Sequence, residues 1–159
     1  MDVDGVMTDG GIIFGSQNFE MKCFNSRDGH GITLARRSGL KLAIITGRTS
    51  EVVTRRSNEL SMDACYQGEY NKTITFEAMK KEHGFEDSEA AYIGDDVQDA
   101  PLLKRVAFAA TVADGVQELD SVVHLRTKNK GGHGAVREFI EFILNAQGKY
   151  KDLIKQFDL

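Results

Sequence analysis

The sequence predicts an α/β protein: a Rossmann-like, three-layer αβα sandwich built around a mostly parallel sheet. Short apolar runs, among them "LAIIT", "ACYQ", "AAYIG" and "VAFAATV", alternate with segments of helical periodicity, the pattern of right-handed βαβ units covered on both faces. Polar clusters follow the ends of those runs, Thr46-Gly47-Arg48 after one and Asp95-Asp96 after another. Ligands in open α/β sheets bind at such strand ends. No linker or repeat interrupts the pattern, so residues 1–159 read as one domain.

Each element follows in order. The opening "MDVDGVMTDGG" concentrates Asp2, Asp4 and Asp9 around Gly5. "GGIIFGSQNFEMKCFN" reads as a protruding β-hairpin over about 11–24, with Gly15-Ser16-Gln17-Asn18 as its turn. An isolated hairpin does not bury side chains as large as Phe14, Phe19, Met21 and Phe24, which predicts an oligomer interface there. "GITLARRSGLKLAIITG" gives a helix closing near Gly39 and a strand over 42–46. Ser50 and Glu51 start the next helix. The strand "ACYQ" leads to a helix from near Asn71 to just before Gly84. "AAYIG", "VAFAATV" and "VVHL" are predicted strands. Val136, Phe139, Ile140, Ile143 and Leu144 recur at helical spacing after Gly134. The preceding "KGGHGAVRE" either offers N–H groups to an anion or needs glycine for positive φ. The tail, 147–159, is expected to leave the body, docking on a neighbour or staying disordered.

Bulk properties exclude several classes. A net charge of −4 argues against nucleic-acid or anionic-membrane partners. No long apolar run or signal-peptide pattern appears, which places the expectation in the cytoplasm. Cys23 and Cys65 lack metal-site spacing and read as reduced structural thiols. His30 and His133 lie in glycine-flanked loops and are too few for a metal site.

The acidic clusters suggest a chemistry. Asp2 and Asp95, facing each other across a cleft, repel unless a cation separates them, and Mg²⁺ is the hard, oxygen-seeking ion for that place. A carboxylate held there can attack phosphorus and form an aspartyl-phosphate. Asp4 can protonate the leaving oxygen and later activate water. The Thr46 hydroxyl and nearby N–H groups can hold the phosphoryl oxygens while Lys72 neutralises them.

"DVDGVMTDG", "ITGR", the lysine of "EYNKTI" and "GDDVQD" resemble, in order, the four motifs of the haloacid dehalogenase-type phosphatases. The resemblance implies that Asp2 is the nucleophile and Asp4 the general acid/base, its backbone carbonyl joining Asp2 and Asp95 on Mg²⁺. It makes Thr46 and Lys72 phosphoryl-binding residues, with Asp96 and Asp99 supporting them. "FNSRDGHGI", "KGGHGAVRE" and the lack of a large cap insertion are similar to the capless, homotetrameric subfamily that hydrolyses 3-deoxy-D-manno-octulosonate 8-phosphate for lipopolysaccharide precursor synthesis. Carried over by position, Asn25, Ser26, Arg27, Asp28, Gly29, Gly47 and Arg48 line the substrate pocket. Arg56 reaches a neighbouring subunit's site and meets the sugar-acid carboxylate, as a guanidinium can.

Two alternatives stand beside this reading. One is a nine-carbon keto-sugar-acid 9-phosphate phosphatase, disfavoured by Arg48, where such relatives carry an acidic residue. The other is a non-catalytic oligomerisation module of the same fold, disfavoured by the presence of Asp2, Asp4, Lys72 and Asp95. Two departures from the family pattern are expected to matter. Asn71 stands where relatives commonly carry an acidic residue, and only Met1 precedes Asp2, where a central strand should run. The second predicts a groove in mid-sheet and a sequence that begins downstream of the natural N-terminus.

Overall fold

The computed structural model describes residues 1–17 and 19–158; Asn18, assigned to the hairpin turn, and Leu159 lie outside the described residues. The hairpin pairs β1 (Ile13–Phe14) with β2 (Glu20–Met21), Ile13 opposite Met21 and Phe14 opposite Glu20. Its pairing is shorter than the apolar runs, because the chain leaves β2 to enter α1 (Ser26–Arg37). Asn25 caps that helix, its side-chain oxygen accepting the Arg27 N–H at 2.8 Å.

The remaining elements alternate as expected: β3 (Ala43–Thr46), α2 (Glu51–Glu59), β4 (Ala64–Gln67) and α3 (Lys72–His83). Then come β5 (Ala91–Gly94), α4 (Ala100–Leu103), β6 (Phe108–Thr111), β7 (Leu125–Arg126), α5 (Ala135–Ala146) and α6 (Tyr150–Lys155). Gly84 closes α3 at a φ of 67°, a left-handed position where glycine avoids the Cβ penalty. "VVHL" is not a strand over its length. Its valines follow a 3₁₀ turn over Gln117–Ser121, and β7 starts only at Leu125.

β3 and β4 pair in parallel, as do β5, β6 and β7. Met1 and Asp2 join the two sets. The Ile45 N–H donates to Met1 O at 3.1 Å, the Met1 amine to Ala43 O at 3.0 Å, and the Asp2 N–H to Ile93 O at 3.1 Å. Two residues thus stand as the middle strand. Beside them opens the expected groove, about 250 Å³, lined by Leu42, Ala43, Ala91, Phe108, Phe139 and Ile140.

Alternation along the strands builds a core on each face. Ile44, Ile93 and Ala110 pack with Ile32 and Leu34 of α1 and Phe139 and Ile140 of α5. Ile45, Tyr92 and Ala109 face the other way, onto Phe76 of α3 and Leu102 and Leu103 of α4. The three layers follow from that division. The tail corrects its expectation: α6 folds back on its own chain, with Tyr150 and Leu153 against the core and Arg37 donating to Gln156 Oε1 at 2.8 Å. The His30 ring meets Phe157 edge-on at 5.6 Å. Among the described residues no helix is long and apolar enough to cross a membrane.

Candidate active site

Three strand ends and one helix start meet at the carboxyl edge of the sheet. Asp2 ends the two-residue middle strand, Thr46 ends β3 beside it, and Asp95 follows β5. Lys72 opens α3, where the helix dipole disfavours a cation. It is nevertheless buried, because carboxylates surround it: its Nζ lies 2.6 Å from Asp99 Oδ1 and 3.0 Å from Asp2 Oδ1. Burial alone would lower the ammonium's pKa, but Asp2 and then Asp99 outweigh it and hold Lys72 above the ordinary lysine value. Lys72 also donates to the Tyr92 hydroxyl at 3.1 Å, which donates to Asp99 Oδ1 at 2.7 Å. Asp99 Oδ2 takes the backbone N–H groups of Asp95 and Asp96 at 3.0 and 3.3 Å. Asp99 is therefore fully engaged as the support behind the site, and Asp96 caps the turn over Val97–Asp99.

Carboxylate oxygens of Asp2, Asp95 and Asp99 lie within 4.8 Å of one another. Asp2 Oδ1 is buried with the Lys72 ammonium as its ion-pair partner, and Asp95 Oδ1 is buried with no hydrogen-bond partner. A buried oxygen without a partner is costly unless a further ligand satisfies it. Burial, then Asp2 and Asp99, push Asp95 up to about 8, and burial raises Asp2 as well. With all three aspartates ionised, three negative charges face one ammonium. A divalent cation with hard-oxygen preference fits that excess and that all-oxygen donor set. The turn after Asp2 lies against Asp95: Gly5 has φ +90°, and a Cβ there would fall 2.0 Å from Asp95 Oδ2. Only glycine fits.

The Asp4 side chain is not in this carboxylate cluster. It turns to the hairpin, where Lys22 Nζ donates to Asp4 Oδ1 at 2.5 Å. Arg48 Nε stands 3.6 Å from Asp4 Oδ2, its Nη2 3.7 Å from Glu20 Oε1, and its guanidinium over the Phe14 ring at 5.6 Å. Glu20 Oε2 accepts the Ser50 hydroxyl at 2.7 Å, so Ser50 precedes α2 without capping it through its side chain. Gly47 approaches Tyr70 and Gln98. Sequence reading missed Glu20, Lys22 and Tyr92. The alternation in "FEMK" was the available signal for the first two, since Glu20 and Lys22 share a face opposite exposed Phe19 and Met21.

The segment from Asn25 to Gly29 braces a neighbouring loop. Asn25 donates to Gly132 O at 3.2 Å. Asp28 is buried and takes the Gly134 and Arg137 N–H groups at 3.2 and 2.7 Å. Its carboxylate therefore caps the start of α5. Burial raises its pKa despite those bonds. Ser26 and Arg27 are exposed at the start of α1.

The glycine-rich loop spends its N–H groups internally, on Asp114, Val6, Lys130 and Asp28. Its glycines answer to backbone geometry: Gly132 and Gly134 have φ of 67° and 107°, and a Cβ on Gly131 would lie 1.8 Å from Gly5 O. His133 Nδ1 lies 2.8 Å from Gly131 O within the same loop. Arg56 sits against Gly29 and Phe24 and pairs with Glu59 at 2.9 Å.

No model of a known protein family matches the chain. It is 42% identical over 148 residues, 93% of this chain and 79% of the relative, to the 3-deoxy-D-manno-octulosonate 8-phosphate phosphatase KdsC of Yersinia pestis. A crystal structure of the Moraxella catarrhalis 3-deoxy-D-manno-octulosonate 8-phosphate phosphatase, in complex with magnesium, phosphate and KDO, superposes with a TM-score of 0.96 at 40% identity. That match covers 98% of this chain and 90% of the other. The cobalt-bound Haemophilus influenzae deoxy-D-mannose-octulosonate 8-phosphate phosphatase gives 0.89 at 34% identity, over 93% and 86% of the two chains.

Proposed function

The chain belongs to the 3-deoxy-D-manno-octulosonate 8-phosphate phosphatase family of haloacid dehalogenase-type hydrolases, and from that premise we propose that it hydrolyses this eight-carbon sugar-acid phosphate to the free sugar acid and phosphate. The carrying observation is the pair of buried oxygens, Asp2 Oδ1, met by the buried Lys72, and Asp95 Oδ1, which has no hydrogen-bond partner. Asp2 and Asp95, with the Asp4 carbonyl, would hold Mg²⁺, which supplies positive charge to the phosphoryl oxygens when bound.

The residues then divide the work. An Asp2 carboxylate oxygen attacks phosphorus while the bond to the sugar oxygen breaks, and that oxygen takes the departing electron pair and a proton from Asp4. Water next attacks phosphorus, Asp4 takes its proton, and the bond to Asp2 breaks. Lys72, fixed by Asp99 and Tyr92, offsets the charge gathering on the phosphoryl group, with the Thr46 hydroxyl as a further donor. Asn25 to Gly29, Gly47 and Arg48 are proposed on the substrate side, with Asp28 acting there only through the loop it holds.

We assign a capless homotetramer whose neighbouring subunits complete each site, Arg56 reaching across. The apolar hairpin face supports it: Ile12, Ile13, Phe14, Phe19 and Met21 are all about half exposed or more, an arrangement that favours covering by a partner surface.

The experiment is phosphate release from 3-deoxy-D-manno-octulosonate 8-phosphate with Mg²⁺ or EDTA, beside a panel that includes a nine-carbon 9-phosphate, on protein whose mass in solution is read by sedimentation. Turnover that needs Mg²⁺, is highest on the octulosonate and is lost in Asp2→Asn is expected, from a species of four chains. Folded protein that releases phosphate from nothing overturns the assignment, and a monomer overturns the role of Arg56.

A further inference from the structure

The mechanism leaves one buried cation without a task. Lys22 lies on the hairpin, outside every motif used above, yet its side chain is wholly enclosed. An enclosed ammonium must be paired, and its short contact is with Asp4 Oδ1 at 2.5 Å, while Glu20 Oε1 stands off at 3.6 Å. The other oxygen of Asp4 has Arg48 Nε at 3.6 Å, which is not hydrogen-bonded to it. Among the described residues the Asp4 carboxylate is thus anchored by one side-chain hydrogen bond, on one oxygen, and that bond comes from the hairpin.

We infer that Lys22 is a positioning residue for the proposed phosphatase reaction, acting through Asp4. By holding Oδ1 it fixes the rotation of the carboxyl group and leaves Oδ2 as the oxygen that carries the proton. In the first step the phosphorus–oxygen bond to the sugar breaks, its electron pair stays on the sugar oxygen, and the proton on Oδ2 moves to that oxygen. In the second step Oδ2 takes the proton of the attacking water. Glu20 and Arg48 complete a four-charge group with this pair, Glu20 lying 3.6 Å from Lys22 and Arg48 3.6 Å from Asp4. The hairpin then does more than present an apolar face: its strand register sets the geometry of a proton transfer in the same chain.

The inference rests on the phosphatase reading, and leaving-group chemistry tests it separately. An alkoxide leaves poorly without a proton, whereas 4-nitrophenolate needs none. The measurement is kcat/KM, which reports the steps through aspartyl-phosphate formation, for the octulosonate 8-phosphate and for 4-nitrophenyl phosphate. Lys22→Met should lower it at least about tenfold on the sugar phosphate and less than about threefold on the aryl phosphate, the selectivity expected of a lost general-acid geometry. Lys22→Arg should restore part of the loss. In an Asp4→Asn background, Lys22→Met should cost nothing further, because a residue that acts through another is non-additive with it.

Equal losses on both substrates would overturn the inference, as would a further loss in the Asp4→Asn background, which would mean direct contact with the sugar. Circular dichroism and the Lys22→Arg variant separate a kinetic effect from misfolding. Wild-type protein that hydrolyses neither substrate, or does so equally well as Asp2→Asn, would bring down the phosphatase reading itself.

Discussion

At Tyr92, one hydroxyl bridges the buried Lys72 to Asp99. It accepts from Lys72 at 3.1 Å and donates to Asp99 at 2.7 Å, and burial, then Asp99 and Asp2, push its own pKa well above the ordinary tyrosine value. It therefore stays protonated and keeps donating. Tyr92→Phe removes two hydrogen bonds but leaves the Lys72–Asp99 pair. The expected cost is about 1–2 kcal/mol in urea unfolding, with kcat lower by roughly three- to tenfold as the ammonium loses its alignment. Unchanged kinetics would show that Asp99 alone positions Lys72. The polar clusters at element ends were legible in sequence: Thr46 closes β3, Lys72 opens α3 and Asp95 follows β5, where the periodic runs stop. Tyr92 was not, because an aromatic side chain in an apolar strand reads as core, and it is core on every atom but one. The hydrogen bonds of Asp28 were not legible either, because only the fold brings the N–H groups at the start of α5 to its carboxylate.

At the scale of elements, two loops are fastened back to back. The turn after Asp2 passes between the Asp95 carboxylate and the glycine-rich loop, with Gly5 against the first and Gly131 against the Gly5 carbonyl. Gly131→Ala would place a methyl 1.8 Å from Gly5 O, so one backbone must shift. A loss of at least about 1–3 kcal/mol is expected from the overpacking, with most of the phosphatase activity, because the displaced turn carries Asp4. Gly84→Ala is the control: its φ is 67° with nothing within 4 Å, so it should cost about 1–2 kcal/mol of backbone strain and leave kcat unchanged. Thermal melts and kinetics of the two variants together separate clash from strain. If Gly131→Ala keeps full activity, the two loops are not coupled. Sequence placed the glycine-rich loop ahead of α5 but left its purpose open between anion binding and positive φ. The hydrogen bonds decided it, since each N–H from Gly131 to Gly134 already has an acceptor inside the protein.

For the whole molecule, the joint of the sheet and the candidate metal site are one place. Met1 and Asp2 link β3 to β5, so the residue that joins the two sets of strands also brings its carboxylate to Asp95. Asp95, raised from 3.8 to about 8, favours the metal-free fold at low pH and loses that contribution as pH rises through about 8. The linked proton is the quantity to measure. If Asp95 holds Mg²⁺ as proposed, it must be ionised to do so, and calorimetry in two buffers at pH 7 should find about one proton released per ion, and none above pH ~9. Mg²⁺ affinity should rise between pH 6 and 8, by at most about tenfold per unit. No proton release would remove Asp95 from the ion's ligands.

The sequence by itself determined the alternation of strands and helices, the two faces of the sheet and the residue types at its carboxyl edge, because local periodicity and strand termination encode those. Only the tertiary structure decided the direction of the Asp4 side chain, the burial of Lys22, the use of Asp28 as a helix cap and the docking of α6. Those depend on which donor meets which acceptor across segments far apart in the chain, and burial makes such pairings obligatory only once the fold exists.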